Sequence, residues 1–94
     1  MVRHVVMWKF KAGERENMER FLAGLNGLKG QIAELVDMET GIDRGGEGNY
    51  DAVLIATFRS REDLERYQKD PRHVAVSSLC KSIRADRVAV DFEF

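Results

Sequence analysis

Val2-Arg3-His4-Val5-Val6-Met7-Trp8-Lys9-Phe10 decides how the rest of the chain is read. Side chains in a strand alternate between two faces, which puts Val2, His4, Val6, Trp8 and Phe10 together on one of them. Val5 and Met7 make the opposite face apolar as well, beside Arg3 and Lys9. A strand with two apolar faces is covered on both. The chain must therefore supply one cover and find another.

Downstream, Met18, Phe21, Leu22, Leu25 and Leu28 recur at helical spacing, which predicts a helix from Glu14 to about Lys29 with one apolar stripe. Gly24 and Gly27 each cost roughly 1 kcal/mol against alanine inside a helix, so close packing or a frayed end is expected there. Gly30 is the expected stop. A second strand is read over Leu35 to Ile42, then a flexible hairpin loop from Arg44 to Asn49. The third strand runs from Tyr50 to Phe58 and again has two apolar faces, with Ala52, Leu54, Ala56 and Phe58 on one and Val53 and Ile55 on the other. Ser60 begins a second helix, with Asp63 three residues on and Leu64 and Tyr67 on its inner side. Asp70-Pro71 restarts that helix, because Asp is a favoured N-cap and Pro a favoured first helical residue. Val88, Val90, Phe92 and Phe94 alternate with Ala89, Asp91 and Glu93 in a fourth strand. If that strand is central, truncating Phe92 or Phe94 removes a buried ring and costs roughly 3–5 kcal/mol.

The order β-α-β-β-α-β, with the second helix broken, predicts an α+β, ferredoxin-like fold: one four-stranded antiparallel sheet with helices on one face. Residues 1–94 form a single domain, too short for a second core. Helices on one face leave Val5, Met7, Val53 and Ile55 uncovered on the other. A second copy is the simplest cover, so the chain is expected to be a homodimer packed sheet against sheet.

Fifteen Lys and Arg against sixteen Asp and Glu give a net charge of -1, which argues against a nucleic-acid or acidic-membrane binder. A single cysteine, Cys80, forms no disulfide within the chain, which fits a cytoplasmic setting. No signal-peptide core and no membrane-spanning run is read from the sequence.

Several segments together carry a family resemblance. They are Arg3 to Lys11, Asn49 to Leu54, Asp63-Leu64-Glu65-Arg66-Tyr67, Asp70-Pro71-Arg72-His73-Val74, and Asp86 to Glu93. In that order and spacing the chain resembles the stress-responsive α/β-barrel domain (Dabb) family of the dimeric α+β barrel superfamily. The resemblance implies a ferredoxin-like protomer whose sheet pairs with its twin into a dimeric α+β barrel. Some plant members are polyketide cyclases that close a poly-β-keto chain by aldol chemistry without a metal. His73 falls on their base position, Tyr67 on their assisting tyrosine, and His4 on a strand histidine lining the same cavity. Two positions depart from the pattern. Asp70 replaces the usual histidine before the proline, and Trp8 replaces an aliphatic residue, which argues against a long substrate.

The residues themselves allow the same chemistry. His73 lies in the first turn after Asp70-Pro71, where the helix dipole disfavours imidazolium and the Asp70 carboxylate favours it. A neutral imidazole suits a general base. The Asp-Pro corner can turn Tyr67 and His73 into one cleft over the first strand, where His4, Val6 and Trp8 point and Phe21 forms a wall. A base, a phenol and an apolar wall suit enolisation next to a carbonyl. The expected function is thus a cofactor-free enzyme or binder for a small hydrophobic carbonyl compound. The alternative is a non-catalytic dimeric stress-response or ligand-sensing module. In that case His73 bonds a neighbouring carbonyl, His4 and Tyr67 are core residues, Trp8 serves packing, and Trp8, Phe21 and Phe58 close the space over His73. Cys80, on the apolar stripe of the last helix, reads as a small hydrophobe. No His or Cys pair has zinc-ligand spacing, so neither metal nor cofactor is expected.

Overall fold

The computed structural model describes residues 1–94. Seven elements follow one another: β1 (Val2–Phe10), α1 (Arg15–Asn26), β2 (Asp37–Ile42), β3 (Ala52–Phe58), α2 (Arg61–Lys69), α3 (Pro71–Ile83) and β4 (Arg84–Glu93). The strands make one antiparallel sheet in the order β2-β3-β1-β4. This is the expected ferredoxin-like α+β protomer. The core lies between the sheet and the helices, where Val6, Leu54, Ala56 and Phe58 meet Phe21, Leu25, Leu64, Tyr67 and Ile83.

Local chemistry sets the helix boundaries. Ser60 Oγ accepts from the Asp63 amide at 3.1 Å and starts α2. Asp70 then takes an extended backbone (φ -62°, ψ 131°), which ends α2, and its carboxylate caps α3 by accepting from the Arg72 amide at 2.9 Å. Pro71 fills the first helical position, where its missing amide hydrogen leaves nothing unsatisfied. The break is what aims α3 across the sheet independently of α2.

Four boundaries differ from the sequence expectation. Helix α1 ends at Asn26 rather than near Lys29, because the Leu28 and Lys29 amides switch to the carbonyls three residues back, Leu25 and Asn26. Gly30 sits in the following turn at φ +86°. Strand β2 begins at Asp37 rather than Leu35. Leu35 is buried in the turn before it, and Val36 contributes its amide to the Thr57 carbonyl. Strand β3 begins at Ala52, since Tyr50 leaves the sheet and donates its hydroxyl to Asp86 at 2.5 Å. Strand β4 begins at Arg84, with no loop after α3. Gly24 shows the expected close approach: a methyl group there would meet Val76 of α3 at 3.1 Å.

The larger correction concerns β4. It is an edge strand, not a central one, and its apolar row faces away from the helices. Register pairs Met7 with Val88, Val5 with Val90 and Arg3 with Phe92. Val90 is 58% exposed and Phe92 42% exposed, so their side chains belong to no core of the protomer. Phe94 is also exposed, with the Arg3 guanidinium 4.2 Å from its ring centroid. The outer face of the sheet is thus a continuous apolar surface from Val53 and Ile55 through Met7 and Val5 to Val88, Val90 and Phe92.

Candidate functional site

His4, Val6 and Trp8 line the inner face of β1. Register places Asp91 of β4 opposite His4, and Arg87 opposite Trp8. Helix α3 brings His73 in its first turn, Ser77 and Cys80 in its middle and Lys81 in its last. Phe21 and Leu25 of α1 close the far wall. A cleft of about 310 Å³ remains between them, at the lower end of the range for small-molecule sites.

His4 is 4% exposed, and its Nδ1 is hydrogen-bonded to the Asp91 carboxylate. That bond orients the ring and leaves Nε2 as the nitrogen free to act. His73 is half-buried, and its Nδ1 lies 3.2 Å from the Gln68 carbonyl oxygen. A carbonyl only accepts, so Nδ1 carries the hydrogen and Nε2 carries a lone pair. Burial pushes the His73 pKa below its ordinary 6.5. The Gln68 carbonyl opposes this, while the charges of His4 and Arg87 act with it. A neutral, tautomer-fixed imidazole at pH 7 results.

Tyr67 lies behind His73 and does not line the cleft. Its ring is fully buried between Phe58, at 5.1 Å, and the His73 imidazole, at 4.4 Å between centroids. The hydroxyl has no hydrogen-bond partner, and burial drives its pKa far above the ordinary phenol value. Trp8 stands edge-on to Phe21 at 5.0 Å and 88°. It thickens the wall without closing the cleft, and Phe58 is in the core away from it. The Cys80 thiol, also at the cleft wall, is pushed up by burial and is correspondingly inert.

Of the residues singled out in the sequence, His4, Val6, Trp8, Phe21 and His73 meet around one space, and Tyr67 supports it from behind. Sequence reasoning missed Asp91, Gln68, Lys81, Arg84 and Arg87. Alternation in the last strand put Asp91 opposite in face to Val90, but its pairing with His4 depends on strand order. A larger groove, about 450 Å³, opens near Met7, Ile42, Tyr50 and Val53. It holds neither histidine and adjoins the outer sheet face, so the smaller cleft is the better chemical candidate. No three His, Cys, Asp or Glu side chains converge as metal ligands.

The stress responsive A/B barrel domain model matches residues 2–94. The chain is 30% identical over 102 residues to the stress-response A/B barrel domain-containing protein DABB1 of Arabidopsis thaliana. That match takes in 98% of this chain and 46% of the relative, so the chain spans about half the relative's length. A dimeric ferredoxin-like protein of unknown function from Thermobifida fusca is 29% identical, with a TM-score of 0.89 over 99% of this chain and 90% of that one. The hydroxynitrile lyase of Passiflora edulis shares the fold at 18% identity, with a TM-score of 0.84 over 97% and 90% of the two chains.

Proposed function

Because the chain belongs to the stress responsive A/B barrel domain family, we propose that it is a cytoplasmic homodimer, paired through the outer sheet face, that enolises a small hydrophobic carbonyl compound in the cleft without a cofactor. One observation carries the catalytic part: two imidazoles reach the same apolar cleft, each with its Nδ1 already engaged. His73 Nε2 takes the proton from the carbon next to the carbonyl. His4, held at Nδ1 by the Asp91 carboxylate, presents Nε2 to the oxygen that becomes the enolate. The enolate carbon then attacks a second carbonyl carbon of the same molecule, whose C=O π bond opens to an alkoxide. The alkoxide takes the proton back from His73 Nε2, which completes the aldol ring closure and restores the base. Tyr67 orients the His73 ring by packing against it at a tilt. Val6, Trp8 and Phe21 keep the enolate out of water, where a hydrogen bond to it is worth more.

Support for pairing comes from the exposed apolar row on β4 and β1, and from the dimeric state of solved relatives. Light scattering at micromolar concentration should give twice the chain mass, and a monomer would overturn this part. The chemistry is tested by proton NMR of α-hydrogen exchange in D2O with butyrophenone. Exchange should be accelerated by the protein and fall at least a hundredfold toward background in His73→Ala. Equal rates in the two proteins would remove His73 as the base. Saturable binding without exchange would favour the non-catalytic ligand-sensing module.

A further inference from the structure

The cleft carries a charge pattern that enolisation alone does not require. Lys81, Arg84 and Arg87 all line it, together with His4 and His73, and no carboxylate is among the lining residues. This occurs in a chain whose net charge is -1, so the cations are concentrated here by the fold. None of the three is in an ion pair. Asp91, the nearby acid, is engaged by His4. Asp86 is engaged by the Tyr50 hydroxyl and the Arg87 amide.

Cations near a helix C-terminus often serve the helix itself, by meeting its free carbonyls. That account fails for these side chains. The Cys80 carbonyl accepts from the Arg84 amide, Leu79 from Ser82 Oγ, Ser82 from Lys11 Nζ and Ile83 from the Lys11 amide. These carbonyls of the last turn of α3 thus have partners other than the Lys81 and Arg84 side chains, which line the cleft. Arg87 joins them from β4 by its register opposite Trp8. Two guanidinium forks and an ammonium at the edge of an apolar pocket match a planar carboxylate, which arginine binds with two parallel hydrogen bonds.

We propose that the ligand of this cleft is a small carboxylate, with its apolar carbonyl-bearing body against Trp8 and Phe21 and its acid group on Arg84, Arg87 and Lys81. This rests on the binding part of the function proposed above and names the ligand's class. It also gives the uncharged half of the site a direction: the carboxylate anchors at the α3–β4 junction, and the body extends toward the two imidazoles.

The test compares 4-oxo-4-phenylbutanoate with its primary amide, a neutral isostere, by isothermal titration at low and high salt. The acid should bind at least tenfold more tightly than the amide at 50 mM salt, with the gap narrowing at 500 mM. In Arg84→Gln/Arg87→Gln, checked for folding by circular dichroism, the acid should weaken at least tenfold more than the amide. Arg87→Lys should retain a measurable preference for the acid. Equal binding of acid and amide by the unsubstituted protein overturns the carboxylate while leaving a hydrophobic cleft intact. Binding of neither overturns both. A preference unchanged in the double variant, or an equal loss of both probes, removes the role assigned to these arginines.

Discussion

The two faces of the sheet are built from the same strands and meet opposite fates. The inner face buries Val6, Leu54, Ala56 and Phe58 under three helices, and the polar group it buries on β1, His4, is partnered by Asp91. The outer face carries as many branched and aromatic side chains, yet Met7, Val88, Val90 and Phe92 stay exposed in the protomer. The difference lies in what the chain has left to cover them with. Three helical segments from ninety-four residues cover one face. The accessible surface of 5830 Å² accordingly exceeds the roughly 5,500 Å² expected for a chain of this mass. The proposed function divides the same way, with chemistry on the inner side and assembly on the outer.

The sharpest way to break this contrast is to truncate an aromatic on each side. Phe58→Ala, in the fully buried core, should lower unfolding stability by about 3–5 kcal/mol in urea titration. Phe92→Ala should cost the protomer less than about 1 kcal/mol and act on assembly instead. Comparable losses in protomer stability would show the two faces to be energetically alike.

A charge is the next probe. Val90→Asp puts a carboxylate in the apolar row of the outer face, and burying it unpaired is strongly unfavourable. Light scattering should show the dimer mass halved at micromolar concentration, with the circular dichroism of the folded protomer retained. An intact dimer would place the interface elsewhere.

The inner face offers a pH signature. The native pKa of His73 lies below the 6.5 of an unperturbed imidazole, chiefly through burial. Above 6.5 the side chain is neutral folded or unfolded. As pH falls from 6.5 to the native value, the unfolded chain takes up the proton first, so stability declines across that window. Below it the loss is complete. Urea midpoints measured at pH 7.5, 6.5 and 5.5 should fall, and the fall should shrink in His73→Asn. Asp70, held down to about 2 mainly by its bonds with Arg72, acts at much lower pH and does not confuse the result. An undiminished fall in His73→Asn would assign the signal to another group.

The smallest effect tests the helix layer. Gly24→Ala gains helix propensity of about 1 kcal/mol but sets a methyl group 3.1 Å from Val76. The two effects should nearly cancel, with the net change within about 0.5 kcal/mol by thermal unfolding. A clear stabilisation would mean that α1 and α3 have room to separate.

Much of this was legible in the residues. Val2 to Phe10 announced a strand with two apolar faces, and Ser60, Asp70 and Pro71 marked the helix starts to the residue. His4, Val6, Trp8, Phe21 and His73 are all legible as candidates in the sequence, and they meet around the cleft. The three cations at the cleft and Asp91 are not legible in this way. Lys81 looks like any basic residue in a last helical turn, and Arg87 like a solvated charge beside Asp86. Their meaning depends on β4 pairing with β1, in a register that shifts between Lys9 and Phe10.

Local sequence determined the elements, their faces and the surplus apolar surface, because alternation and helical spacing are properties of neighbouring residues. Strand order belongs to the tertiary structure. It made β4 an edge, turned Phe92 and Phe94 outward, set Asp91 against His4 and gathered three cations at one opening. Those outcomes depend on pairings between residues more than seventy positions apart, which no local pattern encodes and only the assembled sheet selects.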